Sequence, residues 1–140
     1  MIVLDTSFVV ALLNGKDADH REAAGFYENA SGGFATTPLV LAEIDHLLHS
    51  RATPPVIEAF HLEIGAGSLG VEWWSQLDAQ AAEIASRYVD LGLGLTDASL
   101  IALAAKLETR RIASFDERHF RAVKPLAGAS SFELLPADAE

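Results

Sequence analysis

The stretch that most constrains this chain is its first one. Met1-Ile2-Val3-Leu4 is a short apolar run rich in branched residues, and it stops abruptly at Asp5-Thr6-Ser7 before Phe8-Val9-Val10-Ala11-Leu12-Leu13. A continuous apolar run of this length reads as a strand buried on both faces, the kind found in a parallel sheet covered by helices. Thr6 and Ser7 are helix-capping residue types, so the chain turns from strand into helix here. A carboxylate at this point stands at the carboxyl end of a strand, where open α/β sheets bind ligands. Two readings of Asp5 are open: a helix cap and nothing more, or one member of a reactive acidic group. The choice depends on whether other acids reach the same place.

The remaining pattern alternates helices with short strands. Residues 7–13 read as a helix closed by the turn pair Asn14-Gly15. Asp17 or Asp19 caps the next, through about Ala30, with Ala23, Ala24, Phe26 and Tyr27 on its apolar face. Phe34-Ala35-Thr36 is a second strand. Thr37-Pro38 opens a helix to about Ser50, proline being suited to the first helical position. Thr53-Pro54-Pro55 opens another, to about Ile64. Leu69-Gly70-Val71-Glu72-Trp73 reads as a third strand. Ser75 with Asp78 resembles a capping box, starting a helix to about Leu91. Thr96 or Asp97 caps a helix that is apolar almost all round, hence central and buried. Ile112-Ala113-Ser114-Phe115 is a fourth strand, closed by Asp116, and Phe132-Glu133-Leu134-Leu135 a fifth. The expected fold class is therefore α/β: one domain over residues 1–135, with a mostly parallel sheet of about five strands and helices on both faces. Residues 136–140 read as a frayed polar tail.

Composition narrows the function. The chain has 140 residues and is 50% hydrophobic, enough for one core. It has no cysteine, which removes disulfides, thiolate metal sites and cysteine nucleophiles together. That absence, and the lack of a signal-peptide pattern or an apolar run near the roughly 20 residues of a membrane span, lead to the expectation of a cytoplasmic protein with no membrane association. The formal net charge of -10 argues against general nucleic-acid affinity through a basic surface. The basic residues are unevenly placed, however: Lys106, Arg110, Arg111, Arg118, Arg121 and Lys124 all lie late in the chain.

Asp5 and Asp116 each end a predicted strand, Asp97 begins a buried helix, and Glu43 borders the apolar stripe Val40, Ile44, Leu47, Leu48 of its helix. In a parallel sheet every strand carboxyl end points the same way, and the helices that follow start on that side, so the four acids can converge. Four carboxylates at ~5 Å spacing repel by about 3 kcal/mol per pair at an effective dielectric of ~20. A divalent cation removes that penalty, and an all-oxygen donor set without cysteine points to Mg²⁺ or Mn²⁺.

Met1–Ser7, Glu43 after Thr37-Pro38, Leu95-Thr96-Asp97-Ala98 and Ser114-Phe115-Asp116-Glu117-Arg118-His119-Phe120 together resemble the four acidic motifs of PIN-domain ribonucleases, and most closely the VapC toxins of prokaryotic toxin–antitoxin pairs. The resemblance covers the whole chain. It implies a metal-dependent endoribonuclease, the toxin of a type II pair, with Asp5, Glu43, Asp97 and Asp116 as catalytic and metal-binding residues. It also implies Thr6, Ser7 and Ser114 as supporting hydroxyls, an antitoxin partner and a homodimer. The late basic residues Arg110, Arg111, Arg118, Arg121 and Lys124, with His119, then become the candidate RNA contacts. The chemistry would be metal-assisted hydrolysis of a phosphodiester, with no covalent intermediate.

Other readings remain beside this one. Asp45, His46 and His49 have helical spacing that suggests zinc, but no HExxH and no third ligand is visible. Asp5 as a phosphotransfer nucleophile lacks the second acid two residues on, where Ser7 stands. A non-catalytic module with the same fold would be expected to have lost some of the acids. Independently, Phe8, Val9, Leu12 and Leu13 with Tyr27 are expected to leave more apolar surface than one small domain buries, which fits a protein partner.

Overall fold

The computed structural model describes all 140 residues. Its elements run β1 (Ile2–Leu4), α1 (Thr6–Leu13), α2 (His20–Asn29), β2 (Phe34–Ala35), α3 (Pro38–Arg51), α4 (Pro54–Ala66), α5 (Leu77–Arg87), a 3-10 turn at Val89–Leu91, α6 (Leu95–Lys106), β3 (Arg111–Ala113), α7 (Glu117–Phe120) and β4 (Glu133–Leu135). The four strands form one parallel sheet in the order β2-β1-β3-β4. Val3 of β1 pairs with Ala35 on one side and Ile112 on the other. Ile2, Val3 and Leu4 point alternately to the two faces of the sheet and are all fully buried, so helices cover both faces, as the unbroken apolar run requires.

The chain leaves β1 toward one side to make β2, then crosses back to make β3 on the other. The strand order therefore reverses between β1 and β3, and such a switch point opens a crevice at the strands' carboxyl ends. Asp5 follows β1 there, and Ser114-Phe115-Asp116 follows β3.

The sheet has four strands rather than the expected five. The stretch Leu69–Trp73 touches the sheet only through a parallel bridge from Val71 to Thr36. Gly70 is the reason. It adopts a left-handed φ of 62°, which interrupts an extended run, and a Cβ there would lie 2.1 Å from the Phe34 carbonyl oxygen. Glycine is what allows this close approach, and the same backbone turn prevents a longer strand.

Two expected caps are also corrected. α5 begins after Gln76 without a side-chain cap, so Ser75 does not open it. α6 begins after Gly94, which places Asp97 inside the first turn and not at the cap. Thr37 does cap α3, its Oγ1 accepting the Val40 N–H at 3.4 Å.

The C-terminal residues 136–140 are not a loose tail. Asp138 accepts both Arg121 Nη atoms at 2.7 Å and the Leu134 N–H at 2.8 Å. The expected apolar excess at the N-terminus is absent for a similar reason. Phe8 and Val9 are fully buried, and Leu12, Leu13 and Tyr27 pack against the core. The Phe8 ring contacts Phe26 edge-on and stacks on Phe115. The domain itself consumes that surface.

Candidate active site

Asp5 occupies the N-cap position of α1, yet its side chain makes no cap hydrogen bond. Its Oδ2 instead accepts the hydroxyls of Ser114 at 2.6 Å and Ser7 at 2.9 Å. Those hydroxyls are themselves held: the Phe115 N–H donates to Ser7 Oγ at 2.9 Å, and the Asp116 N–H donates to Ser114 Oγ at 3.0 Å. The loop after β3 is thus fastened to the end of β1, and one oxygen of Asp5 is fixed while the other takes no side-chain bond. Asp5 is only 3% exposed. Burial, reinforced by the charge of Asp97, raises its carboxyl pKa to about 6, against the opposing bonds from Ser114, Ser7 and the Thr6 backbone.

Asp97 sits in the first turn of α6, and its Oδ2 bonds His119 Nδ1 at 2.7 Å. Burial raises its pKa as well; the His119 contact opposes this, and the charges of Glu43 and Asp116 add to it. α3 and α6 are registered at their starts by a buried contact between Thr37 Oγ1 and Ser99 Oγ at 2.8 Å. Ser99 also donates to the Thr96 carbonyl at 2.6 Å. This pairing sets where Glu43 stands relative to Asp97. Asp116 caps α7, accepting the Arg118 N–H at 3.3 Å, and its side chain is 47% exposed.

Asp5, Glu43, Asp97 and Asp116 line one cavity of about 400 Å³. Thr6, Ser7 and His119 line it too, and Ser114 lies beneath Asp5. The structure therefore brings the four predicted acids and the three predicted hydroxyls to one place. It does not do so for most of the late basic cluster. Arg110 and Arg111 lie at the opposite end of β3 and face Glu133 at 3.7 and 3.8 Å. Arg121 is held by Asp138 and Glu117, and Arg118 pairs with Asp116 at 3.5 Å. Lys124 is outside the cavity, and of the candidate RNA contacts only His119 lines it. Asp45 is taken up by His61 of α4 at 2.7 Å, and the His49 ring bonds the Asp45 carbonyl within α3 at 2.8 Å.

Sequence reasoning missed Arg51 and Leu47 in the cavity wall. The signal was present: Glu43, Leu47 and Arg51 are four residues apart on one helix and share a face.

The donor set fits a hard divalent cation. All donors are carboxylate or hydroxyl oxygens, the one imidazole is committed to Asp97, and no sulfur is available. As placed, no three of them already surround a single point as a finished ligand set. Half-buried Glu43 and exposed Asp116 are the two with room to rotate. Thr6 Oγ1 is buried at the cavity with no hydrogen-bond partner. Such an orphan costs about 1–3 kcal/mol, and a water or oxygen ligand in the cavity would satisfy it.

The chain is similar to proteins of one known family. The family model described as the PIN domain matches residues 2–125. Ribonuclease VapC26 of Mycobacterium tuberculosis is 29% identical over 136 residues, which is 96% of this chain and 100% of that protein. The crystal structure of Mycobacterium tuberculosis VapC20, described as a sarcin–ricin loop cleaving toxin, superposes with a TM-score of 0.75 at 29% identity, covering 83% of this chain and 90% of that one. VapBC2 from Rickettsia felis, solved with a DNA fragment from its promoter, shares the fold at 16% identity, with a TM-score of 0.64 over 96% of this chain and 98% of that one. The matched segment begins in β1, ends beyond α7 and contains all four cavity acids, and on that basis the chain belongs to the PIN domain family.

Proposed function

We propose that the protein is a divalent-metal-dependent endoribonuclease and the toxin of a toxin–antitoxin pair. The observation that carries this is Asp5: a carboxylate buried at a topological switch point, not used as a cap, and charged against Asp97 across a cavity that Glu43 and Asp116 also line. Carboxylates with perturbed pKa values gathered in one cleft are characteristic of functional sites. Similarity to VapC26, described as a ribonuclease, and to VapC20, described as a sarcin–ricin loop cleaving toxin, supports the same reading.

Asp5 and Asp97 would hold Mg²⁺ or Mn²⁺, with Glu43 and Asp116 completing the set directly or through water. When bound, the cation supplies a water of lowered pKa and neutralises charge at the cleaved phosphate. Ser7 and Ser114 keep the Asp5 carboxylate in one orientation, and His119 does so for Asp97. No covalent intermediate is required, because the nucleophile would be water.

Purified protein with Mg²⁺ or Mn²⁺ is expected to cut RNA, and EDTA to stop it. Ribosomal RNA is the substrate to use first, because the sarcin–ricin loop is the stated target of VapC20. Equal cleavage in EDTA would refute metal dependence. The proposed assembly is a homodimer held in the cytoplasm by an antitoxin encoded next to it. Co-expression with the adjacent reading frame should yield a stable complex without nuclease activity. Recovery of an active monomer that binds neither neighbouring product nor itself would refute the pairing.

A further inference from the structure

We propose that Arg51, with Lys16 beyond it, is the phosphate-binding extension of this cavity and holds a phosphodiester of the RNA strand next to the one that is cut. The proposal rests on the ribonuclease reading and names how that site takes its substrate.

Pairing and position together set Arg51 apart from the other arginines. The chain has seven arginines, and Arg87, Arg110, Arg111, Arg118 and Arg121 are each within ion-pair distance of a carboxylate. Arg21 and Arg51 are in no such pair; Arg21 lines neither this cavity nor its neighbour, whereas four carboxylates line the cavity Arg51 belongs to. An exposed guanidinium beside so much negative charge, yet bonded to none of it, is available to another anion. Arg51 is also shared between two cavities. The second, of about 340 Å³, is lined by Asn14, Gly15, Lys16, Ala52, Thr53 and Val56 together with Arg51. No acid lines it, and it adds a second exposed cation, Lys16. Across Arg51 the surface therefore changes sign, from a four-carboxylate pocket suited to a cation to a two-cation pocket suited to phosphate.

That change of sign matches what a strand being cut requires. The scissile phosphate would be received by a cation held by Asp5 and Asp97, whereas carboxylates repel a flanking phosphate unless a basic group receives it. In a chain of net charge -10 these two cations, paired with no carboxylate, adjoin the four acids. A guanidinium can take a phosphate with two parallel hydrogen bonds, which fixes register as well as adding affinity. The competing role for Arg51 is to complement the carboxyl end of α3, whose last turn it occupies with His49.

Single-turnover cleavage of ribosomal RNA, followed against protein concentration and salt, separates the two roles. The variants are Arg51→Gln, Arg51→Lys and Lys16→Gln, with Arg87→Gln as a charge-matched change outside both cavities. Arg51→Gln should raise the half-saturating protein concentration about tenfold, change the limiting rate by less than about threefold, and reduce the log–log salt slope by about 1. Lys16→Gln should also reduce the slope by about 1. Arg51→Lys should keep the slope, which counts charge, and recover only part of the affinity, which also counts geometry. Arg87→Gln should move neither quantity. RNA binding by the same variants in a cleavage-deficient Asp5→Asn background should repeat the pattern. If the parent cuts RNA but Arg51→Gln leaves half-saturation and slope unchanged, or lowers only the melting temperature, the proposal fails and the ribonuclease reading stands. If the parent cuts no RNA with either metal, both fail together.

Discussion

Replacing Asp5 with Asn should abolish RNA cleavage while making the metal-free protein more stable at neutral pH. The carboxyl pKa of Asp5 is raised from 3.8 to about 6, chiefly because it is buried. The folded state therefore binds a proton more tightly than the unfolded state does. Between pH ~4 and ~6 the folded protein carries the extra proton, so stability falls as pH rises through that window and levels off above it. Two pKa units correspond to roughly 3 kcal/mol, and relaxation of a real site brings the expected effect to on the order of 2 kcal/mol. Asn is neutral and nearly isosteric, and its carbonyl can still accept the Ser7 and Ser114 hydroxyls. The metal-free variant should melt higher than the parent at pH 8, and its stability should lose most of the pH dependence below pH 6. Cleavage should fall by more than about a hundredfold, since loss of an outer-shell partner alone costs about 10–100-fold at metal sites. Thermal melts of parent and variant between pH 4 and 8, with one cleavage assay, test both halves. A variant less stable than the parent at pH 8 would make Asp5 a structural acid.

Asp97→Asn should separate stability from function in the same way, with a smaller stability term. Asp97 does not cap α6, because Gly94 does, so no cap is lost. What is lost is a charge in the first helical turn, worth about 0.3–1 kcal/mol through the helix dipole. What is gained is relief from burial and from the charges of Glu43 and Asp116, which raise its pKa. Asn can still accept from His119 Nδ1. The metal-free variant should thus melt near or above the parent. Mg²⁺ at about a hundred times its dissociation constant should stabilise the parent by about 2.7 kcal/mol and scarcely change the variant. RNA cleavage should be nearly lost. The measurement is four melts, parent and variant with and without Mg²⁺, and one cleavage assay. A metal-free variant that melts far below the parent would mean that Asp97 and His119 form a structural pair rather than a corner of the site.

Both substitutions depend on a distinction that residue identity cannot make. Asp5, Asp97 and Asp116 all look like helix caps in the sequence, because each stands at a strand or helix boundary. Only Asp116 uses its side chain as one. Whether a carboxylate caps is decided by the rotamer that its neighbours allow, and the neighbours of Asp5 include Ser114, which lies 109 residues away in the chain.

The main helices, the parallel sheet and the identity of the acids are legible in the sequence. Those follow from local signals: branched apolar runs, prolines at Pro38 and Pro54, and the buried apolar helix from Ala98 to Ala104. Tertiary structure decided three things. The Leu69–Trp73 stretch is not a strand, because Gly70 must pass against the Phe34 carbonyl. None of the late arginines lines the cavity, because strand direction carries Arg110 and Arg111 to the other end of the sheet, the chain's own carboxylates hold Arg121, and Arg118 pairs with Asp116 at its edge. Arg51 does reach the cavity, because the contact between Thr37 and Ser99 sets α3 against α6 and brings the face of Glu43, Leu47 and Arg51 onto the acids. Local pattern encodes which face of an element is apolar. Which polar residue meets which depends on pairings across the sheet and between helices, and these are properties of the packed chain.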